Sequence, residues 1–225
     1  MCDKKKLMKM ELIMDQKTLY QFSTLKTFNN KAYDGDLTLD GLKKYGDTGL
    51  GTFNALDGEL MLFDGGVYQV DGDCNFKTSD DKAMIPFAVL GFLGHTKAIS
   101  LDKPLSMEAA KAALDQAIGL DDPIVLAVLE GDFLALTLHS VWPQKKPYRS
   151  LDTIVSEQKL VSISHQKGRL VGVRCPQLAD EKNVVGWHFH YLSADKKIGG
   201  HVNDFTSKEL SIRYSVKERI MEITG

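Results

Sequence analysis

Cysteine is scarce: Cys2, Cys74 and Cys175 are the only three in 225 residues, and no C-x-x-C pair occurs. That usage excludes a disulfide framework and a cysteine-rich zinc module, and it fits a reducing compartment. An excess of charge is missing too. The chain carries 28 Lys and Arg against 30 Asp and Glu, with no long stretch far from balance, so a nucleic-acid partner is not expected. The longest apolar run, Ala83 to Gly94, is too short to span a bilayer and contains Pro86, so it reads as buried core and no membrane partner is expected. The start, Met1-Cys2-Asp3-Lys4-Lys5-Lys6, is basic like a secretory signal, but Lys9, Glu11, Asp15 and Lys17 interrupt every apolar core behind it. A cytoplasmic protein is expected. Also absent are the phosphate loop G-x-x-x-x-G-K-[ST], the nucleophile elbow G-x-S-x-G and the dinucleotide fingerprint G-x-G-x-x-G. Gly46-Asp47-Thr48-Gly49-Leu50-Gly51 orders its glycines differently and puts Asp47 where a phosphate cradle would meet negative charge, so it reads as a turn. Cys175, before Pro176, has no identifiable partner for nucleophilic work and reads as a small apolar residue near a strand end.

What is present is strand. No repeat or Pro/Ser-rich linker divides residues 1–225, which read as one unit; any internal division falls between a sheet part over 7–158 and a metal-binding sheet part over 159–225. Thr38 is placed to cap a short helix over Leu39 to Tyr45, and Ser106 a longer one over Met107 to Ile118 that stops at Gly119. Glu59 to Phe63 and Val67 to Val70 flank Asp64-Gly65-Gly66, a hairpin signal. The same pattern predicts hairpins of Ile124 to Leu129 with Phe133 to His139, around Glu130-Gly131-Asp132, and of Leu160 to Ser164 with Leu170 to Val173, around Gln166-Lys167-Gly168. Val184 to Leu192, Gly200 to Phe205 and Leu210 to Val216 complete the strands. The fold class is α/β, β-rich, with mixed and antiparallel sheets and few helices.

Within Gly186-Trp187-His188-Phe189-His190-Tyr191-Leu192, strand alternation sends both imidazoles to one face and both flanking aromatics to the other. A polar turn follows, and Gly199-Gly200 lets the backbone approach closely before His201 returns beside the pair. Three neutral imidazoles suit zinc at about 2.0 to 2.1 Å and leave one position open, as catalytic sites do. A lone H-x-H pair is more often a polar sheet face; the third histidine after a glycine hinge favours the ion. Spacing alone does not separate zinc from manganese, iron or nickel.

The segment GWHFHYLSADKKIGGHVNDF resembles the acetolactate decarboxylase family's run of H-x-H-F and GGHV-x-DF. Tyr20-Gln21-Phe22-Ser23-Thr24-Leu25, Tyr33-Asp34-Gly35, Gly51-Thr52-Phe53, Leu56-Asp57-Gly58-Glu59, Pro86-Phe87-Ala88 and Gln144-Lys145-Lys146-Pro147-Tyr148 match further landmarks in the family's order. The resemblance implies a two-part α/β fold and a cytoplasmic, zinc-dependent lyase, commonly a homodimer, that converts 2-acetolactate to acetoin and carbon dioxide in acetoin and butanediol formation. It also implies that Glu59 delivers a proton in the active site and that Thr52 contacts substrate. Read alone, Glu59 is an exposed strand-end residue and Thr52 a turn hydroxyl bonded to its own backbone.

Two positions depart from the family pattern. Where the family has an arginine eight residues before the proline of Q-x-x-P-Y, this chain has His139, which is charged only near or below about pH 6.5. Arg149 is the alternative cation, and His139 the favoured one. The family also places an active-site glutamate in its tail, past the point where this chain stops at Gly225, and Glu222 does not align with it. The competing readings are therefore a metal-dependent lyase acting on another small keto or hydroxy acid, and a noncatalytic or repurposed zinc protein.

Overall fold

The computed structural model describes residues 16–224, so Cys2 and the basic start lie outside the described residues. Strands run as β1 (Thr18–Phe22), β2 (Leu37–Thr38), β3 (Thr48–Thr52), β4 (Glu59–Phe63), β5 (Gly66–Val70), β6 (Phe76–Lys77), β7 (Met84–Ile85) and β8 (Phe87–Gly91). The helices α1 (Leu25–Asn29) and α2 (Leu39–Leu42) lie among them. Next come β9 (Lys97–Leu101), β10 (Leu105–Ser106), α3 (Met107–Ile118), β11 (Ile124–His139) and α4 (Leu151–Ser156). The chain ends through β12 (Leu160–Cys175), β13 (Gly186–Ser193), β14 (Gly199–Lys217) and β15 (Arg219–Ile223).

One seven-stranded sheet has the order β15-β1-β8-β3-β4-β5-β6, and β15 joins β1 in parallel, so the sheet is mixed. The second sheet, β10-β14-β11-β12-β13 with β9 on β14, is antiparallel. β14 also pairs with β13, so β11, β12, β13 and β14 bond in a closed circuit. Alternation along β11 explains its unbroken apolar run: Leu126 and Val128 face the seven-stranded sheet with Leu50, Met61 and Val89, while Val125, Ala127 and Leu129 face Ala110, Leu114 and Ile118 of α3. Both faces are buried, so neither can be polar. Among the described residues no helix is long and apolar enough to cross a membrane.

Caps behave as their side chains dictate. Thr38 Oγ1 accepts from Gly41 N at 3.1 Å, Ser106 Oγ accepts from Ala109 N, and Gly119 closes α3 at φ 65°. Asp64 and Gly65 both take positive φ in the two-residue turn between β4 and β5.

Four expectations fail, three of them for one reason. Glu130-Gly131-Asp132 and Gln166-Lys167-Gly168 are not turns: β11 and β12 each run unbroken for 16 residues, and Gly131 pairs directly with Gly168. Gly199–Lys217 form one 19-residue strand rather than two. Gly46 to Gly51 leads into central strand β3 instead of forming a turn. At Gly131, Gly168 and Gly49 glycine marks close approach of backbones rather than reversal of the chain. A Cβ on Gly168 would lie 2.5 Å from both Leu192 O and the Tyr191 ring, one on Gly131 2.4 Å from Glu209 O, and one on Gly49 2.4 Å from Val89 O. Gly168→Ala is therefore expected to cost about 2 kcal/mol or more through overpacking, seen as a lower urea midpoint at unchanged slope. An unshifted midpoint would contradict this account of the long strands.

Candidate metal centre

β13 carries His188 and His190 on one face, while Trp187 and Phe189 stack on the other, 5.3 Å between centroids. Trp187 Nε1 donates to Asp115 Oδ1 on α3 at 2.8 Å, which anchors the strand from behind. After the turn, β14 returns with His201 directly opposite His190. Gly200 makes that return possible: it sits at φ 153°, and a Cβ there would come within 2.6 Å of His139 O and 3.2 Å of Cys74 Sγ. On its other side His201 pairs with His139, the last residue of β11. The sheet circuit thus gathers four histidines from three strands.

His188, His190 and His201 each turn one ring nitrogen toward the others, all within 4.8 Å. His188 Nε2 and His201 Nδ1 are 3.0 Å apart. Bonds of 2.0–2.1 Å at tetrahedral angles put ligand nitrogens roughly 3.3 Å apart, so this spacing fits one shared ion. His190 Nδ1–H donates to Leu60 O at 2.9 Å, which fixes its tautomer and leaves Nε2 with its lone pair. His188 Nδ1 is buried with no partner among the described residues, so nothing competes with Nε2 for the ring's orientation. Burial is the first cause of the low proton affinity of all three rings. His188 is pushed down to about 4, and His190 and His201 fall well below the ordinary value, with neighbouring imidazoles adding to the effect. At neutral pH all three are unprotonated, the form that binds a cation.

The seven-stranded sheet supplies the opposite wall. β4 starts at Glu59, whose Oε2 lies 3.5 Å from His190 Nε2, and the next carbonyl is the Leu60 oxygen that holds His190. Glu59 is 12% exposed, and burial raises its carboxyl to about 8. It is therefore largely a neutral acid at pH 7, and its contact with an uncharged His190 is not an ion pair. Thr52 stands directly across from Glu59 on β3 and is buried; its hydroxyl donates to Gly58 O at 2.6 Å. The hydroxyl thus bonds the backbone at the far end of the segment that joins β3 to β4.

Burial lowers the proton affinity of His139 below the usual imidazole value, which disfavours the charge an arginine would carry, and Nδ1 lies 2.7 Å from Asn203 Oδ1. Arg149 is held by Glu157 at 2.6 Å and by Gln144 at 3.3 Å, both surface residues. Neither Leu60 O nor Asn203 was legible as a site residue: a backbone carbonyl carries no sequence signal, and Asn203 reaches the site only through a strand irregularity. Cys74 and Cys175 are buried thiols raised to about 12 by burial, consistent with inert packing.

These shifts set the pH response of the metal-free protein. The histidines bind protons more tightly when unfolded, so stability rises as pH climbs to their ordinary 6.5. Glu59 acts oppositely, because the folded carboxyl keeps its proton to about 8 whereas the unfolded one loses it near 4.5, so stability falls with pH between those values. Below about pH 7 the histidines, still partly protonated in the unfolded chain, outweigh the one carboxyl; from there to 8 Glu59 dominates. Above that Lys217, held down to about 8 by burial, reverses the trend. The thermal midpoint in chelator is expected to peak near pH 7 and decline toward 8, with the decline gone in Glu59→Gln. A wild-type midpoint still climbing at pH 7.5 would refute the assignment.

Comparisons with known proteins bear on the family and the fold. The family described as alpha-acetolactate decarboxylase matches residues 19–222. The alpha-acetolactate decarboxylase of Klebsiella aerogenes is 33% identical over 187 residues, covering 83% of this chain and 72% of its own length. That of Methylococcus capsulatus is 32% identical over 206 residues, 91% of this chain and 79% of the relative. The crystal structure of alpha-acetolactate decarboxylase from Bacillus subtilis strain 168 superposes with a TM-score of 0.89 at 28% identity, covering 92% of this chain and 88% of that one. With a family match from end to end of the described fold, and relatives above 30% identity over most of both sequences, the chain belongs to the alpha-acetolactate decarboxylase family.

Proposed function

We propose that the chain is a cytoplasmic, zinc-dependent carboxy-lyase that converts 2-acetolactate to acetoin and carbon dioxide, serving acetoin and butanediol formation. It acts as a homodimer on this small molecule and engages neither nucleic acid nor membrane. The observation that carries the reading is the convergence of three unprotonated imidazoles beside a carboxyl group that burial keeps protonated near neutral pH. The two sheets work as one unit, and they do not divide at residue 159: Glu59 and Thr52 come from the seven-stranded sheet, while His139 and the three histidines come from the other.

His188, His190 and His201 would hold the ion. A divalent cation there supplies Lewis-acid chemistry, stabilising negative charge on the ketone oxygen as carbon dioxide departs. Glu59 gives its proton to the carbon that loses the carboxylate, and so sets which face of the product is protonated. The carbon–carbon bond breaks, its electron pair ends in the new C–H bond, and Glu59 regains a proton from water. Thr52 spends its own proton on Gly58 O, so toward substrate it offers only lone pairs and accepts from a donor group.

The direct test is carbon dioxide release from racemic 2-acetolactate with added zinc. Activity is expected to vanish on chelation and to return with the metal. Release no faster than from His188→Ala would remove the catalytic reading.

A further inference from the structure

The strand opposite His139 carries one residue too many. Leu138 pairs with Val202 and Thr137 with Asp204, so Asn203 faces no residue on β11 and forms a β-bulge. Bulges cost a ladder hydrogen bond and re-aim the side chain of the extra residue. Here the side chain reaches back over the pairing line to His139, with Oδ1 2.7 Å from Nδ1. Asn203 is exposed, so packing does not explain its position. His139 is only 9% exposed, and its ring lies 4.4 Å from that of His201, closer than any two of the three candidate ligands lie to each other.

We propose that Asn203 is a positioning residue: it holds His139 as the Nδ1–H tautomer, leaving Nε2 beside the histidine site as an acceptor for the substrate's hydroxyl group. A carboxamide oxygen can only accept, so Nδ1 must carry the proton, and a neutral imidazole with a protonated Nδ1 has a lone pair on Nε2. An acceptor fixed in a water-poor site selects a donor. In a 2-hydroxy-3-oxo acid that donor is the hydroxyl, and a substrate lacking it leaves Nε2 buried and unpaired. The selectivity claim rests on the decarboxylase reading; the tautomer claim does not.

Long-range proton–nitrogen correlation spectra of the zinc-loaded protein read the tautomer directly, with the His139 signals identified by their loss in His139→Ala. The wild type is expected to show Nδ1–H, Asn203→Asp to keep it, and Asn203→Leu to show Nε2–H or a mixture, with zinc content and thermal midpoint unchanged. In parallel, 2-acetolactate is compared with 2,2-dimethylacetoacetate, which has a methyl in place of the hydroxyl. Wild type is expected to prefer the hydroxy acid by about 100-fold or more, and Asn203→Leu to shrink that preference at least tenfold. An Nε2–H ring in the wild type, or an unchanged tautomer and preference in Asn203→Leu, would overturn the proposal. So would loss of zinc from Asn203→Leu, which would make the residue a support of the metal site instead. Absence of decarboxylation by the wild type would sink the activity reading, while the nitrogen spectra would still decide what Asn203 does to His139.

Discussion

Replacing His190 with alanine is expected to abolish stoichiometric zinc uptake and to lower turnover of 2-acetolactate on the order of 10³-fold or more. His190 is the most deeply buried of the three, at 2% exposure, and the only one whose second nitrogen is tied to a backbone carbonyl. That bond to Leu60 O spans the two sheets, so the ring is oriented before any ion arrives, and the ion loses little freedom of its ligands on binding. Removing it leaves two imidazoles, too few for a site that keeps an open position. The variant also removes a hydrogen bond that joins the two sheets, so some loss of stability accompanies the loss of metal. His188→Ala separates the effects, since His188 has no such backbone bond and its Nδ1 is already unpartnered. It should lose zinc to a similar degree with a smaller stability cost. Elemental analysis and the decarboxylation assay on both variants decide the matter, and a His190→Ala protein that keeps zinc and turnover would end the three-histidine account.

The second large effect belongs to Glu59. Glu59→Gln is expected to retain zinc and lower turnover by about 10²- to 10⁴-fold, the range typical of losing a positioned proton donor. The active form is the protonated acid, so wild-type turnover falls as pH rises through the Glu59 pKa. In the metal-free protein burial holds that pKa at about 8, and a cation alongside draws it down, so the alkaline limb lies at or below 8. Glutamine does not titrate, and the residual activity of the variant should lack that limb. Full turnover in Glu59→Gln, or an alkaline limb that survives it, would show that another group delivers the proton.

Much of the site was legible because strand periodicity is short-range. Two histidines two residues apart on a strand must share a face, and a glycine pair ahead of a third allows the return. The capped helices were legible for the same reason, since Ser106 and Gly119 act on their own neighbours. The long strands were not. Gly131 and Gly168 carry the local signature of a turn, yet each is glycine because another strand's backbone lies within 2.5 Å of where a Cβ would be. Such contacts come from residues 24 and more positions away, which no local pattern reports. His139 was legible as a departure in charge but not in role, since its environment depends on a bulge in β14 and on burial.

Alternation, spacing and capping in the amino-acid sequence alone determined the β-rich class, the ends of α3 and the three-histidine group, because each depends on geometry within a few residues. Tertiary structure decided what those residues face. It brought the start of β4 against β13, so that Glu59 became a buried acid rather than a surface carboxylate and Leu60 O became the anchor of His190. Desolvation is a property of what surrounds a group in space, and it made the difference.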